Sequence, residues 1–326
     1  MIKLGIMSFA HMHAYSYAAS IKHVEGAELA AIWDDDAARG KTDAAQFGTR
    51  FISDLNAFLD SDIDGVIVCS ENVKHRAMVE AAAHADKWIL CEKPLATSVD
   101  DARAMVELCK AKGLGLGTAF PCRFVPPLIS VKEDLAKGKY GEILAAACTN
   151  NGSFPGGWFA DEALSGGGAT MDHTVHVVDL LRWMFGREIT RVYCENGNLV
   201  RPGIGTDDVG SLHFELEGGI KVSHIASWNR AKSFPTWGDV TMEIIGEKGV
   251  VAVDAFNQKL NLYNDEVMKA QWVSWGDNCD LGLVGDFVAS IRERRDPAAS
   301  GYDGLKAVEV TVAAYRSARS KRAVSN

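Results

Sequence analysis

No apolar run in the 326 residues approaches the roughly 20 consecutive positions that a bilayer-spanning helix needs. A strand-like run, Ile2 to Met7, begins almost at once, so a basic-then-apolar leader is not expected. Clusters of Lys and Arg are absent: the nearest, Arg292 to Arg295, is interrupted by Glu293, and the formal net charge is −9. Nucleic-acid and membrane partners are therefore not expected. The seven cysteines (Cys69, Cys91, Cys109, Cys122, Cys148, Cys194, Cys279) are odd in number and never spaced C-x-x-C. That argues against a disulfide framework or a zinc site and for reduced thiols in a cytoplasmic protein. Linkers rich in Pro, Gly or Ser, internal repeats and low-complexity tails are likewise lacking. What remains, 47% hydrophobic and 24% charged, is a globular chain long enough for two domains, with small metabolites as its natural partners.

The first third alternates short apolar runs with helix-period segments. Strands are expected at Lys3–Phe9, Ala27–Asp34, Gly65–Ser70, Trp88–Cys91 and Leu114–Ala119. Helices are expected at Ala14–Val24, Ala37–Phe47, Leu55–Asp60, Val73–Ala85 and Val99–Lys112, the last opened by Ser98 and closed by Gly113. Such alternation implies right-handed crossovers and a doubly wound parallel sheet of the Rossmann type. After Pro121 the texture changes. Helix Pro127–Lys137 leads to strand Ile143–Thr149, and Gly166-Gly167-Gly168 opens a helix from about Met171 to Phe185. Beyond Glu188, Leu212, Phe214 and Leu216 alternate with polar residues, and Gly218-Gly219 turns the chain into Ile220, Val222 and Ile225, a hairpin signature. Strands Val240–Ile245, Val250–Val253 and Leu260–Tyr263 and helices Leu283–Arg294 and Leu305–Arg319 complete an α+β domain. The expected domains are 1–120 and 121–326.

A dinucleotide in such a sheet sits on the turn after the first strand, where G-x-G-x-x-G is usual. Here the turn is Ser8-Phe9-Ala10-His11-Met12-His13, without a glycine. Ser8 and Ala10 are small enough to admit a phosphate, whereas His13 is bulky where close packing is normally wanted. An acidic residue about 20 positions on is present: the second strand ends in Asp34-Asp35-Asp36. Asp34 is expected to accept the ribose hydroxyls and to repel a 2′-phosphate, favouring NAD over NADP. The triplet can also cap the following helix. His11 and His13 lack companion ligands, and a helix N-terminus disfavours cations, so they read as polar lining of the cofactor turn and no metal is expected.

Two motifs carry the chemistry. Cys91-Glu92-Lys93-Pro94 ends a strand, and in open α/β sheets ligands bind outside the carboxyl ends of strands. Lys93 can there hydrogen-bond a substrate oxygen and stabilise negative charge as hydride moves. Asp172-His173-Thr174-Val175-His176 follows the triple glycine, with Asp172 and His176 sharing a helix face. His176 is the proton carrier and Asp172 its supporting carboxylate. His173 is expected to point elsewhere and to be structural. Trp158, one of six tryptophans in the second domain with Trp183, Trp228, Trp237, Trp272 and Trp275, could stack on a sugar ring. Arg123 either orients a polar substrate or braces the cleft.

In these motifs the chain resembles the Gfo/Idh/MocA family, the glucose–fructose oxidoreductase and inositol dehydrogenase superfamily. The resemblance runs nearly end to end. It rests on Glu92-Lys93-Pro94, Arg123-Phe124-x-Pro126, Gly138-x-x-Gly141-Glu142, and Gly166-Gly167-Gly168 followed by Asp172, His176 and Asp179. Asp208 and the segment Phe287 to Tyr315, with its Tyr302-Asp303-Gly304 turn, also fit. It implies NAD-dependent hydride transfer at a secondary carbon of a sugar, cyclitol or related polyol. Lys93, Asp172 and His176 would be catalytic, Ser70, His75 and Glu92 near the cofactor, and Lys93, Arg123, Trp158, Asp172 and His176 around the substrate. It also implies a large, mostly antiparallel C-terminal sheet whose open face builds dimers or tetramers. Two departures stand out: the missing first-turn glycines, and Thr174 where the family commonly has Gly. Alternatives are a lyase or glycosidase working by transient oxidation, and a non-catalytic NAD or sugar sensor of the same fold.

Overall fold

The computed structural model describes residues 1–234, 236–257, 259–274 and 278–326, without the side chains of 272 and 274. Trp275 and the side chain of Trp272 thus lie outside the described residues. Two compact units emerge. The first comprises Met1–Pro121, Ala163–Gly166 and Cys279–Glu309; the second comprises Cys122–Glu162, Gly167–Asn278 and Val310–Asn326. No helix among the described residues is long and apolar enough to cross a membrane.

In the first unit, six strands form one parallel sheet: β1 (Ile2–Met7), β2 (Ala27–Trp33), β3 (Arg50–Phe51), β4 (Gly65–Val68), β5 (Trp88–Cys91) and β6 (Leu116–Thr118), in the order β3-β2-β1-β4-β5-β6. The central strands read as continuous apolar runs because both faces are covered; every residue of β4 is buried. The crossover helices are α1 (His13–Ile21), α2 (Ala37–Phe47), α3 (Leu55–Leu59), α4 (His75–His84) and α5 (Val99–Lys112). Asp36 caps α2 by accepting the Ala38 and Arg39 N–H groups, and Ser98 caps α5 by accepting that of Asp101. Strand order reverses between β1 and β4, so the crevice where such sheets bind ligands lies beyond their carboxyl ends.

The second unit holds α6 (Pro126–Ala136), and α7 (Glu162–Ser165) begins in it. Its chief helix is α8 (Ala169–Phe185), buried at every position from Ala169 to Leu181. A seven-stranded sheet is built from β7 (Ile143–Gly152), β8 (Ile189–Gly197), β9 (Val209–Leu216), β10 (Lys221–Ser227), β11 (Gly238–Gly246), β12 (Gly249–Asp254) and the terminal Val324–Ser325. Apart from the parallel β7–β10 pair, its neighbours are antiparallel. The Gly218-Gly219 hairpin pairs Val222 with Phe214 and Ile225 with Ser211. Alternation gives the sheet one buried face and one open face, the latter carrying Ile225, Ile245 and Val250. β13 (Lys259–Asn264) and β14 (Lys269–Ser274) form a separate two-stranded sheet, the terminal strand is β15, and α9 (Cys279–Glu293) and α10 (Gly301–Ser320) close the helix count.

The strands β3, β8, β14 and β15 were not anticipated individually, and α10 starts four residues before the expected Leu305. Tyr302-Asp303-Gly304 is the first turn of this helix rather than a loop turn. Ser300 and Asp303 cap it reciprocally, N–H to carboxylate at 3.0 Å and N–H to hydroxyl at 3.3 Å. Gly304 is there for contact: a Cβ would meet the Thr118 hydroxyl at 2.2 Å.

The start of α8 is the tightest backbone approach in the second unit. A Cβ on Gly168 would lie 1.8 Å from the Asp207 carbonyl oxygen. The Asp207 carboxylate accepts the N–H groups of Gly168 (3.2 Å) and Thr170 (2.8 Å) and the Tyr315 hydroxyl (2.6 Å). It caps the helix from across the chain. Gly168→Ala is expected to lower stability by about 3 kcal/mol through this backbone clash. Chemical denaturation should show it; an unchanged midpoint would mean the approach can relax.

Candidate active site

The first turn keeps a glycine-like backbone without a glycine. Ser8 has φ 74°, a left-handed conformation that costs a non-glycine residue about 1 kcal/mol or more. Side chains hold what glycine would adopt freely. The Phe9 N–H donates to Asp34 Oδ2 (2.8 Å), the Ala10 N–H to Ser8 Oγ (3.2 Å) and the His13 N–H to His11 Nδ1 (3.2 Å). The His11 N–H donates to the Cys69 carbonyl at the end of β4 (2.9 Å). Met12, the cap position of α1, makes no side-chain cap bond and is exposed.

Asp34 stands at the end of β2 as expected, where it already has partners of its own. Its side chain is fully buried. Oδ1 accepts the Asp36 N–H (2.8 Å) and Arg39 Nη2 (2.6 Å); Oδ2 accepts the Phe9 N–H and Arg39 Nε (2.8 Å). A ribose diol at this position would share the carboxylate with the Arg39 guanidinium laid along it. The partly exposed acid at this strand end is Asp35, paired with Lys74 (2.5 Å) and Arg39 (3.2 Å).

Glu92 is the hub of the first unit. Fully buried at the tip of β5, it accepts from the Tyr17 hydroxyl (2.5 Å), His13 Nδ1 (3.0 Å) and the Lys93 N–H (3.0 Å). His11 Nε2 lies 3.9 Å away. Burial pushes the Glu92 carboxyl up, yet the neighbouring His11 and His13 rings, the His13 hydrogen bond and Lys93 outweigh it and hold the group far below the usual carboxylate range. Burial pushes His13 down, but Glu92 wins there too and raises it. The companion ligand that the histidine pair lacks in the sequence is therefore Glu92, and the three ligand atoms lie within 4.8 Å of one another. Hydrogen bonding favours protons over a metal: His11 Nδ1 accepts the His13 N–H, so Nε2, the atom facing Glu92, carries the hydrogen.

Lys93, 4% exposed, follows this hub, and a cis peptide links it to Pro94. His75 Nδ1 donates to the Pro94 carbonyl (2.9 Å), and its Nε2 lies 3.4 Å from the carbonyl of buried Ser70. Burial lowers the His75 pKa, so it acts as a neutral strut behind the lysine.

In the second unit the chemistry gathers on α8. Asp172 and His176 are both buried. Asp172 Oδ2 accepts the Trp228 Nε1–H (2.8 Å) and lies 3.2 Å from His173 Nε2. His173 therefore does not point away from Asp172; it flanks it. Trp158 stacks on Phe159 (3.9 Å between centroids, 20° between planes), and both pack with Trp228. Thus Trp158 reaches Asp172 through aromatic neighbours. Arg123 is braced: its Nε and Nη2 donate to Asp179 at 2.8 and 2.5 Å, and it lies over the Trp183 ring. Asp208 accepts the N–H groups of Leu199, Val200 and Arg201, a purely structural nest. Tyr17, Arg39 and Asp207 carry the site geometry yet escaped the sequence reading, and Trp228 was noted there only as one of six tryptophans. Only Asp207, an acid beside a residue already noted, left a local signal.

Comparison with known proteins gives two family-model matches. The model described as "Oxidoreductase family, NAD-binding Rossmann fold" matches residues 3–120, and "GFO/IDH/MocA C-terminal domain" matches 128–252. Inositol 2-dehydrogenase of Acidothermus cellulolyticus is 30% identical over 310 residues, 93% of this chain and 88% of that protein. D-apiose dehydrogenase of Paraburkholderia graminis is 26% identical, covering 99% of this chain and 88% of that one. The structure of scyllo-inositol dehydrogenase from Lactobacillus casei, with bound NAD(H) and scyllo-inositol, superposes with a TM-score of 0.85 at 23% identity. It covers 100% of this chain and 99% of the other, a likeness of fold.

The His13–Glu92 pair makes stability depend on pH. A histidine whose folded pKa is raised above 6.5 contributes stability that is complete below that value and lost as pH rises through the folded one. His13→Gln is expected to cost about 1 kcal/mol near pH 6, discounted for the partial exposure of the ring, and much less near pH 9. Thermal melts across that range check it; a pH-independent difference would contradict the assignment.

Proposed function

Because the chain belongs to the GFO/IDH/MocA family of oxidoreductases with an NAD-binding Rossmann fold, we propose that it transfers hydride between NAD and a secondary alcohol or ketone of a sugar, cyclitol or related polyol. The observation that carries this reading is the placement of Lys93. Buried at the tip of β5, it follows Glu92, which is bonded to His13 at the turn after β1. An ammonium group beside the strand-order reversal is where such chemistry needs one. The first turn suits a dinucleotide in its position and backbone: it lies between β1 and the start of α1, and Ser8 adopts the backbone that glycine supplies elsewhere.

Bound NAD supplies the hydride acceptor. In the alcohol-oxidising direction the Lys93 ammonium donates a hydrogen bond to the carbinol oxygen and stabilises its developing negative charge. His176 takes the hydroxyl proton, and Asp172 supports the resulting positive charge. Reduction runs the same transfers backward. Trp158 lines the sugar side, and Arg123, held by Asp179, braces that wall.

We assign self-association to the open face of the seven-stranded sheet, where exposed Ile225, Ile245 and Val250 stand among small residues such as Ala147 and Ser223. An open sheet face that mixes these apolar residues with charged ones such as Lys221 and Glu243 fits a second copy of itself. The seven free thiols, six of them buried, suit a reducing cytoplasm.

A panel of inositols, aldoses and polyols with NAD, followed by absorbance of the reduced coenzyme, tests the activity. Lys93→Met and His176→Ala are each expected to lower kcat/KM at least 100-fold with unchanged melting. Product formation without net coenzyme reduction would favour transient oxidation, and tight NAD binding without turnover would favour a sensor. Ile225→Glu is expected to shift the protein from dimer or tetramer to monomer in light scattering; an unchanged mass would remove the sheet face from consideration.

A further inference from the structure

We propose that His13 is the anion-binding side chain of the first turn, and that seating the pyrophosphate of the coenzyme there draws a proton onto its imidazole. The inference rests on the reading that a nicotinamide dinucleotide occupies this turn, and it concerns what meets the charge of the phosphates.

In a glycine-rich turn, phosphates are met by backbone N–H groups. Here those donors already have acceptors. The Ser8 N–H donates to the Trp33 carbonyl (2.7 Å) and the Phe9 N–H to Asp34 Oδ2 (2.8 Å). The Ala10 N–H donates to Ser8 Oγ (3.2 Å), the His11 N–H to the Cys69 carbonyl (2.9 Å) and the His13 N–H to His11 Nδ1 (3.2 Å). Behind them the Ala14 and Tyr15 N–H groups bond to the carbonyls of His11 and Met12. Among the described residues, only the Met12 N–H of this turn is left over. Arg39 Nη2 reaches Ser8 Oγ (3.2 Å), but its guanidinium is shared between Asp34 and Asp35. The charge of a pyrophosphate at this turn therefore falls to a side chain.

His13 is placed for that task. It is the first residue of α1, and its side chain is 33% exposed, against 2% for that of His11. Nδ1 lies 3.0 Å from Glu92 Oε1, and an ionised carboxylate only accepts, so Nδ1 carries a hydrogen. Among the described residues nothing bonds Nε2, the other ring nitrogen. In the neutral ring Nε2 is a lone pair and opposes a phosphate oxygen. With a second hydrogen it becomes the donor of a charge-assisted bond, while Glu92 holds the ring from behind.

The groups facing the ring leave it able to titrate. Burial lowers its pKa, the charge and hydrogen bond of Glu92 on β5 raise it, Lys93 lowers it and Asp280 on α9 raises it, with a net shift upward from 6.5. His11, with its ring centroid 4.3 Å away, turns Nε2 toward Glu92. Burial holds Tyr17 on α1 and Cys69 after β4 well above their ordinary values, so both stay neutral. The dipole of α1 disfavours a cation at its N-terminus, a penalty that a bound anion offsets. A ligand that prefers the charged ring raises its pKa in the complex. By linkage that ligand binds more weakly as pH rises through the value of the free protein.

The test is isothermal titration of the full chain with NAD at pH 8, run in Tris and in Hepes, where the buffer dependence of the enthalpy counts protons taken up. Uptake is expected with NAD and with ADP-ribose, which keeps the pyrophosphate and lacks the nicotinamide ring, and not with adenosine. The NAD dissociation constant is expected to rise about tenfold between pH 7 and pH 9, the effect of a tenfold preference of the ligand for the charged ring. His13→Gln is expected to bind NAD without proton uptake and without that rise. The buffer comparison on the unaltered protein decides the matter even if the variant folds poorly. NAD bound without uptake, equal uptake with adenosine, or uptake that survives in a folded His13→Gln protein would each overturn the proposal. Failure of both NAD and ADP-ribose to bind would remove the dinucleotide reading along with it, whereas binding without uptake removes this inference alone.

Discussion

The buried carboxylate of Glu92 is the constraint on which the N-terminal unit depends. It terminates β5, receives the hydroxyl and imidazole of two residues on α1, and bonds the N–H of the lysine proposed to act on substrate. A lone carboxylate in this place would be expelled or protonated. Surrounded by donors it stays ionised, and in doing so it joins the turn after the first strand to the tip of the fifth. Lys93 is thus positioned by the same group that shapes the cofactor turn.

The C-terminal unit uses an acid in a different way. Asp207 gives the start of α8 the capping partner that Gly168 cannot provide, and Tyr315 braces the cap from the last helix. With its N-terminus fixed, α8 runs buried from Ala169 to Leu181, and the polar residues it carries there must find partners inside. Asp172 finds Trp228 and His173; Asp179 finds Arg123. The helix is both a core element and the carrier of the unit's ionisable groups.

The layering was legible in the sequence because parallel strands covered on both faces produce short apolar runs, and Ser98, Asp36 and Gly113 mark helix ends with side-chain or backbone chemistry. The motifs around Lys93 and His176 were legible because ionisable side chains at strand tips and helix starts stand where ligands bind in open α/β sheets. Partnerships were not. That Asp34 belongs to Arg39 and Phe9 rather than to solvent depends on where α2 returns beside β2. That His173 flanks Asp172 depends on rotamers set by β7 and Trp228. Glycines misled in both directions: Gly304 looks like a turn and is a packing contact, while the first turn reaches a glycine-like backbone with Ser8.

That serine has a further consequence. A glycine-rich loop is adaptable because little holds it; here the turn is moored to three neighbouring strands, through Trp33 and Asp34 on the β2 side, Cys69 after β4 and Glu92 on β5. Loosening it would mean breaking contacts on three neighbouring strands at once. The mouth of the nucleotide crevice is therefore a stiff rim, and any breathing needed to admit or discharge a coenzyme has to come from elsewhere in the chain.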